Sequence, residues 1–345
     1  MEPSLSLSEF EPRSELVTEQ HEVPRPHCPA IDAHNHLPLE AWAGEPARVA
    51  QLVQDLDGAG VQAVVNLSGG SGGILERTLD GLDRAYPGRF VTFCNVDWRG
   101  VGEPGWAERA TAQLRHDVAA GARGLKVFKE LGLRYRDTEG RLVSPDDPRI
   151  ADVWAQAGAL GVPVLIHSAD PVAFFRPLDR HNERWDELQR HPDWHFYGGD
   201  FPVFDELIAA LYRTIAAHPQ TIFITAHVGC YPENLGFVSR MLARYPNMYT
   251  DISARFAELG RAPFSARRWF LAHADRILYG TDVTPTIEMY RNTYRFLETE
   301  DEHFDYAVGA RIPPQGRWKI YGVNLPDDVL QKVYHDNAAA LLRLE

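Results

Sequence analysis

The residues best suited to chemistry lie in the segment Ile31-Asp32-Ala33-His34-Asn35-His36, where an apolar run ends in two histidines. Side chains alternate along a β-strand, so His34 and His36 share one face and Asn35 points away. Two imidazoles about 7 Å apart along a strand can converge on one divalent metal ion, which binds histidine nitrogen at about 2.0–2.1 Å. The spacing indicates a metal site, although two unrelated polar histidines at a strand end would show the same spacing.

Three further side chains suited to metal binding or acid–base chemistry follow apolar runs in the same way. His167 follows residues 162–166, His227 follows residues 222–226 and Asp282 follows residues 277–281. In a barrel of parallel strands these ends meet at one mouth, where barrel enzymes keep their catalytic residues. One such histidine could be a core residue bonded to backbone carbonyls, but five such residues at four strand ends favour a shared site.

The elements that must position these residues alternate between short apolar runs and amphipathic helical patterns. The runs are β-branched or aromatic and are bounded by Gly, Pro, Asn or Asp, which is typical of buried parallel strands. There are eight of them, at residues 30–33, 61–67, 90–96, 124–128, 162–166, 221–225, 248–252 and 276–279. With helices between them they predict an α/β fold, a (β/α)8 TIM barrel. A doubly wound sheet is the rival fold, but no glycine-rich phosphate loop follows the first run.

The loops indicate one domain with additions. Residues 1–27 are polar and broken by prolines, and we expect them to form an extended N-terminal arm. Residues 28–345 then form a single (β/α)8 domain. Two connections are too long for plain crossovers, at about 168–220 and 285–324, and both are rich in aromatic residues. Because both follow predicted strands, we expect them to lie as long loops over the C-terminal mouth of the barrel.

The composition argues against several classes of protein. The 345 residues carry 35 Lys and Arg against 48 Asp and Glu, and phosphate contacts need a basic surface, so we expect no nucleic-acid partner. No apolar run reaches about 18 residues, so we expect no membrane span. Three widely spaced cysteines suggest a reducing, cytoplasmic environment without a disulfide framework. The expected partner is a small-molecule substrate, with a homo-oligomer as a further option.

The sequence resembles the amidohydrolase superfamily, and within it the amidohydrolase-related (amidohydrolase 2) branch of metal-dependent hydrolases, decarboxylases and hydratases. The resemblance covers nearly the whole chain from Ala30 onward. The motifs that carry it are Asp32-Ala33-His34-Asn35-His36, Ile166-His167, Ala226-His227-Val228-Gly229, Gly280-Thr281-Asp282 and Asp336-Asn337-Ala338-Ala339. The resemblance implies a (β/α)8 barrel that binds one or two divalent metal ions.

The resemblance also implies roles for single residues. The metal ligands of the superfamily match His34, His36, His167 and Asp282, whereas His227 matches a histidine that faces the substrate or the attacking water. The amidohydrolase-related branch is mostly mononuclear, so we expect one divalent ion. Zn²⁺ is the first choice, and Mn²⁺ also suits nitrogen and oxygen ligands.

The fourth predicted strand carries Lys126 and Lys129, two of only four lysines in the chain. Binuclear members of the superfamily have a carboxylated lysine or a glutamate on this strand, and an amine, unlike a guanidinium, can form a carbamate. Alternation puts the two lysines on opposite faces, so at most one is expected to point inward, and a solvated lysine is the alternative. One of them is predicted to contact substrate or to support a second ion.

Trp98 and Arg255 lie just past other strand ends and are further candidates for substrate contacts. The Arg255 guanidinium could bind a substrate carboxylate in bidentate fashion, or it could form a salt bridge with a neighbouring acid. The aromatic residues of the two long connections suggest a flat or sugar-like substrate.

Together these residues predict a metal-dependent hydrolase that activates water to cleave a lactone, ester or amide of a small, carboxylated, cyclic or aromatic substrate. Asp282 would accept the proton of the water and return it to the leaving group, while His227 and the metal polarise the carbonyl. The same residues could instead perform non-oxidative decarboxylation or hydration of an aromatic or unsaturated acid. A non-catalytic protein with a structural metal is a third interpretation, which the additional His227 disfavours.

Overall fold

A computed structural model of the protein describes residues 5–6, 9–10 and 12–344. Within that part of the chain, residues 12–29 form no helix or strand and are mostly exposed. Part of the expected arm, at residues 1–4, 7–8 and 11, lies outside the described residues. The end of the arm, residues 21–27, lies against the body of the protein, since the backbone N–H of His21 donates to Asp301 Oδ2 (2.7 Å) and that of His27 to Glu298 Oε1 (3.1 Å).

Parallel strands form the centre of the fold. They are β1 (Ala30–Asn35), β2 (Val61–Asn66), β3 (Phe90–Thr92), β4 (Cys94–Asn95), β5 (Leu125–Val127), β6 (Val164–Ile166), β7 (Phe223–Thr225), β8 (Met248–Asp251) and β9 (Ile277–Leu278). Strands β1, β2 and β3 pair in that order, and β4 to β9 pair in sequence order, all in parallel. The eight predicted strand positions are therefore all present.

The third predicted run, residues 90–96, is divided at Phe93 into β3 and β4. Backbone hydrogen bonds continue through the division: Phe93 N–H donates to Asn66 O (2.9 Å), and Cys94 N–H donates to Gly124 O (2.9 Å). The last strand also joins the first, because Ala33 N–H donates to Tyr279 O (2.9 Å). These bonds link neighbouring strand positions around the ring, as the predicted (β/α)8 barrel requires.

Helices follow the strands and cover the barrel. The longer helices are Pro46–Ala59, Gly72–Gly81, Trp106–Ala120, Ala151–Leu160, Phe204–Ala217, Leu235–Arg244, Pro263–His273 and Ile287–Glu298. Shorter helices span Trp185–Arg190 and Phe256–Leu259, and the C-terminal helical segment runs through Asp327–Gln331, Lys332–Asp336 and Asn337–Leu342. One apolar cluster fills the barrel interior and a larger one lies between the strands and the helices. No helix in the described part of the chain is long and apolar enough to cross a membrane.

The long connection at 285–324 differs from a plain loop because it begins with the Ile287–Glu298 helix. Tyr290, Tyr294 and Leu297 are buried at helical spacing. The helix packs against the first outer helix, where a Cβ added at Gly58 would lie 3.1 Å from the Ile287 side chain. Aromatic residues that the sequence suggested for the barrel mouth therefore belong partly to the outer helical layer.

Residues 182–196 of the first long connection and 313–318 of the second meet, and we call these two segments the roof. Asp186 forms an ion pair with Arg317 (2.7 Å), and Arg190 donates to the carbonyl of Pro314 (2.6 Å). The roof also reaches the strand ends, because Gln315 Nε2 donates to Ala254 O (2.8 Å), just past β8. As expected, parts of both long connections lie together near the C-terminal ends of the strands.

Candidate metal centre

Asp282 meets the histidines of β1 at the C-terminal ends of the strands. Asp282 Oδ1 lies 3.3 Å from His36 Nε2 and 3.8 Å from His34 Nε2, and Asp282 Oδ2 lies 3.6 Å from His227 Nε2. The backbone makes this approach possible, since Asp282 N–H donates to His34 O (2.8 Å). Gly280 is required here, because an added Cβ would lie 2.9 Å from His34 Cβ.

One ligand atom each of His34, His227 and Asp282 lies within 4.8 Å of the other two. Ligand bonds of about 2.0–2.2 Å separate the donor atoms of a tetrahedral site by about 3.3–3.6 Å. The distances of 3.8 and 3.6 Å from Asp282 to His34 and His227 are near this value, so the donor set suits a divalent cation. His34 and His227 are fully buried, and the Asp282 side chain is 25% exposed. The resemblance placed His227 on the substrate side, whereas the structure places it as near to Asp282 as His34.

The buried histidines present Nε2 to this cluster because Nδ1 is engaged on the other side of each ring. His34 Nδ1 lies 2.9 Å from Asp251 Oδ2, and His227 Nδ1 lies 2.8 Å from the carbonyl oxygen of Ser253. A carboxylate and a carbonyl can only accept hydrogen bonds, so both rings carry their proton on Nδ1. Their Nε2 lone pairs therefore face Asp282, as metal ligation requires.

His227 reaches the cluster through a left-handed turn. His227 and Val228 have φ values of 57° and 59°, which are rare for residues with a Cβ. Side chains of β8 hold the turn: Asp251 Oδ1 accepts from His227 N–H (3.0 Å) and Thr250 Oγ1 from Gly229 N–H (2.8 Å). Such strain persists only where its surroundings fix it, and it is typical of functional sites.

His167 lies beside the cluster. Its ring centroid is 4.4 Å from that of His227, and its Nε2 is 3.3 Å from Asp170 Oδ1. This buried nitrogen faces the Asp170 carboxylate, although the geometry of the contact falls short of a hydrogen bond. The contact with Asp170 orients the His167 ring beside the cluster.

Lys126 and Lys129 both connect to the site, contrary to the expectation that at most one points inward. Lys126 is buried, and its Nζ lies 3.3 Å from His34 Nε2. Lys129 lies past the end of β5, where strand alternation no longer applies, and its Nζ donates to Asp170 Oδ2 (2.5 Å). Asp170 thereby links Lys129 to His167.

Burial sets the charges of these groups. It lowers the pKa values of His34 and His227 well below the ordinary value, that of His36 to about 3 and that of His167 to about 4. It also lowers the pKa of Lys126 to about 8. These imidazoles are therefore neutral at pH 7, which is the form that binds metals.

Two of the carboxyl groups near the histidines, those of Asp282 and Asp170, differ in pKa. Burial raises the pKa of Asp282 to about 7. The pKa of Asp170 is below its usual range although burial opposes this, because the Lys129 ammonium and His167 stabilise the carboxylate. The site thus holds one carboxyl group poised near neutrality and one that is firmly ionised.

The remaining substrate candidates behave differently from each other. Arg255 is buried beside the cluster, its Nε has no partner, and its guanidinium forms no ion pair with any described residue. Trp98 does not reach the site: its ring packs 5.9 Å from Trp106 and 5.4 Å from Trp154, between the outer helices. The predicted substrate contact of Trp98 is therefore not supported.

Two carboxylates that the sequence reasoning did not assign hold the site together. Asp251, the last residue of β8, contacts His34 and the His227 turn. Asp32 accepts from Thr281 N–H (3.0 Å), Thr281 Oγ1 (2.6 Å) and Tyr290 OH (2.9 Å), which fixes the backbone before Asp282. Both are acidic residues within apolar strands, and this unusual setting is the sequence signal that could have indicated their role.

Comparison with known proteins decides the family. A family model described as Amidohydrolase matches residues 31–344, nearly the whole chain. The chain belongs to the amidohydrolase family. The predicted family is thereby confirmed, and with it an enzyme of the metal-dependent amidohydrolase type. A comparison with curated proteins found no match.

Solved structures share the fold of this amidohydrolase. A 2,6-dihydroxybenzoate decarboxylase from Rhizobium is 16% identical, with 92% of this chain and 99% of that chain covered and a TM-score of 0.54. A dihydroxybenzoic acid decarboxylase from Polaromonas sp. JS666, with bound manganese, is 16% identical over 92% and 97% of the two chains (TM-score 0.55). A putative 2-pyrone-4,6-dicarboxylic acid hydrolase from Pseudomonas putida is 14% identical over 92% and 99% (TM-score 0.51). At these identities the likeness confirms the barrel fold.

Proposed function

We propose that this amidohydrolase holds one divalent cation among His34, His36, His167 and Asp282, and hydrolyses a C–O or C–N bond of a small carboxylated substrate. The convergence of His34 Nε2 (3.8 Å) and His36 Nε2 (3.3 Å) on Asp282 Oδ1 carries the proposal, with His227 Nε2 beside them, 3.6 Å from Asp282 Oδ2. Positive charge stabilises lone pairs that converge in this way: Lys126 Nζ already lies 3.3 Å from His34 Nε2, and a divalent cation would bind the converging atoms together. The His167 ring, whose centroid lies 4.4 Å from that of His227, is close enough to contribute to the same site. Zn²⁺ is the expected ion and Mn²⁺ the alternative.

The bound cation would polarise both the substrate carbonyl and the attacking water. In this proposal Asp282 accepts a proton from that water and returns it to the leaving oxygen or nitrogen, because its carboxylate is partly exposed at the mouth. His227 has a different role from the one first expected. Its Nδ1 proton is bound to the Ser253 carbonyl, so Nε2 cannot donate to an oxyanion but can accept a hydrogen bond and orient the water.

Arg255 is the proposed anchor for a substrate carboxylate. A buried guanidinium without an ion-pair partner is unfavourable, and an anionic group of the substrate would supply that partner. This arrangement selects carboxylated substrates, because a neutral analogue would leave the same charge unpaired.

Decarboxylation of an aromatic acid is the second candidate, and the ring of Phe128 favours it. Phe128 stacks on His36 with centroids 5.6 Å apart and an interplanar angle of 29°. A flat aromatic surface beside Asp282 suits an aromatic substrate. The decarboxylases of similar fold carry dihydroxybenzoate in their names. In this reaction Asp282 would protonate the carbon that loses carbon dioxide.

Metal analysis followed by isotope labelling tests both candidates. The purified enzyme is analysed for bound metals and then offered lactones, esters, amides and aromatic acids, with and without a chelator, in H₂¹⁸O. Hydrolysis predicts chelator-sensitive turnover with ¹⁸O in the product carboxylate. Decarboxylation predicts release of carbon dioxide and a product without ¹⁸O. A protein that binds no divalent metal and turns over none of these compounds would contradict the proposal.

A further inference from the structure

Asp251 is a fully buried carboxylate at the end of β8 that the proposed reaction does not use. Its Oδ1 accepts three hydrogen bonds, from the backbone N–H of His227 (3.0 Å), the backbone N–H of Ser253 (3.0 Å) and Ser253 Oγ (2.5 Å). Its Oδ2 lies 2.9 Å from His34 Nδ1. One side chain thus touches a β1 histidine and the backbone of the His227 turn.

The neighbouring hydroxyl fixes the direction of these bonds. Ser253 Oγ has a single proton, which goes to Asp251 Oδ1, so towards His34 Nδ1 (2.9 Å) and His227 Nδ1 (3.0 Å) it can only accept. Both imidazoles must therefore carry the proton on Nδ1. His34 meets two acceptors at that atom, Asp251 Oδ2 and Ser253 Oγ, and its Nε2 is left with the lone pair.

We propose that Asp251 is a positioning residue that selects the Nδ1–H tautomer of His34 and so prepares Nε2 for the cation. This inference rests on the proposed function for its consequence, metal affinity, but the tautomer itself can be measured without metal. Carboxylates that receive the second N–H of a metal-binding imidazole fix its orientation and raise its basicity, and their loss typically lowers metal affinity about 10–100-fold.

Asp251→Asn replaces the acceptor that faces His34 Nδ1, the Oδ2 atom, with a donor. Three donors surround the Oδ1 position, so the amide oxygen of asparagine takes that place. The amide NH₂ then faces His34 Nδ1 and needs an acceptor there. His34 would shift its proton to Nε2, where a lone pair is required for metal binding.

The test combines ¹⁵N NMR of the metal-free protein with metal titration of the full chain. Histidine labelled at both ring nitrogens is incorporated, and the His34 signals are identified by their absence in His34→Asn. Wild type is expected to show Nδ1–H for His34 and Asp251→Asn to show Nε2–H. Zn²⁺ affinity, measured by competition with a chelating dye, is expected to fall about 10–100-fold in Asp251→Asn.

Asp83→Asn is the matched control. Asp83 is a partly buried carboxylate with two hydrogen bonds, from Thr92 N–H (2.9 Å) and Thr92 Oγ1 (2.6 Å). It contacts none of the site histidines. Any general loss of stability from removing a buried charge should appear in both variants, whereas the tautomer and the Zn²⁺ affinity should change only in Asp251→Asn.

The outcomes separate this inference from the proposed function. A wild-type His34 that carries its proton on Nε2 would overturn the positioning role, with no need for the variant to fold. So would an Asp251→Asn variant that keeps both the wild-type tautomer and its Zn²⁺ affinity. A wild type with the Nδ1–H tautomer but no affinity for Zn²⁺ or Mn²⁺ would instead support the positioning role and contradict the proposed function.

Discussion

Asp282 Oδ1 lies 3.3 Å from His36 Nε2, closer than Asp282 comes to either buried histidine. The side chain of His36 is 31% exposed and that of Asp282 is 25% exposed, so this pair forms the accessible edge of the cluster. The buried edge is formed by His34 and His227. The cluster therefore has one side closed by the protein and one side open to a substrate, as a catalytic metal site needs.

The first prediction separates ligands from acid–base residues. His167→Asn should lower metal affinity by more than about 100-fold, because it removes a ligand nitrogen. His227→Asn should retain the metal and lose turnover. Metal content after dialysis, measured by plasma mass spectrometry, checks both. If His227→Asn loses its metal and His167→Asn keeps it, His227 is the ligand and His167 is not, an outcome that the 3.6 Å distance from His227 Nε2 to Asp282 Oδ2 allows.

The second prediction concerns the unpaired charge of Arg255. Arg255→Met should raise the free energy of unfolding by about 1 kcal/mol, since an uncompensated buried guanidinium is removed. It should also lower kcat/KM for a carboxylated substrate about 10–100-fold, mainly through KM. Urea unfolding and steady-state kinetics provide the two values. Arg255→Lys is the control, which keeps the charge without the bidentate geometry and should fall in between. A less stable Arg255→Met protein would show that the guanidinium already has a stabilising partner.

The third prediction follows from the lowered pKa of His167, about 4 in the folded protein. Between pH 6.5 and 4 the unfolded chain binds a proton at this residue and the folded protein does not. Stability therefore falls as the pH falls, by up to about 1.4 kcal/mol per pH unit, and above pH 6.5 the residue contributes nothing to the pH dependence. Metal-free His167→Asn should lose less stability than wild type on acidification. Urea unfolding of both proteins with chelator at pH 7, 6 and 5 tests this. If the free energy of unfolding falls equally with pH in wild type and His167→Asn, the prediction is wrong.

The fourth prediction concerns the buried ion pairs of Arg184, a residue of the roof. The Arg184 guanidinium is 1% exposed and contacts the carboxylates of Glu187 (2.8 Å) and Glu258. Arg184→Met should destabilise the protein by about 3–5 kcal/mol, because two buried carboxylates lose their partner. Arg84→Met, at an exposed pair with Asp80, should cost less than about 1 kcal/mol. Similar losses in the two variants would mean that burial does not strengthen the Arg184 contacts.

Much of the fold could be predicted because strand and helix periodicities are local properties of the sequence. All eight strand positions were found, and alternation correctly placed His34 and His36 towards one site. Alternation failed for Lys129, which lies in the turn after β5, where the backbone no longer has a period of two. Trp98 was misplaced because its large apolar ring gains more from packing between Trp106 and Trp154 than from the mouth.

Other parts of the site depend on which strands are neighbours, and a single sequence does not state this. Asp251 matters because β8 comes close enough to β1 for its carboxylate to reach His34. His227 Nε2 is an acceptor because the Ser253 carbonyl binds the proton on Nδ1. The left-handed turn that places this ring involves His227 and Val228, and neither residue type predicts such a turn. Such features follow from three-dimensional closure of the barrel rather than from local propensity.

The two roof segments are joined to each other by Asp186–Arg317 and by Arg190 with Pro314, while the site histidines lie at or just after the strand ends. Substrate preference could therefore diverge among descendants of this scaffold without disturbing the ligand cage. The contacts between the two segments mean that a change in one of them must remain compatible with the other. Transfer of substrate selectivity from a relative would therefore require replacement of both roof segments together.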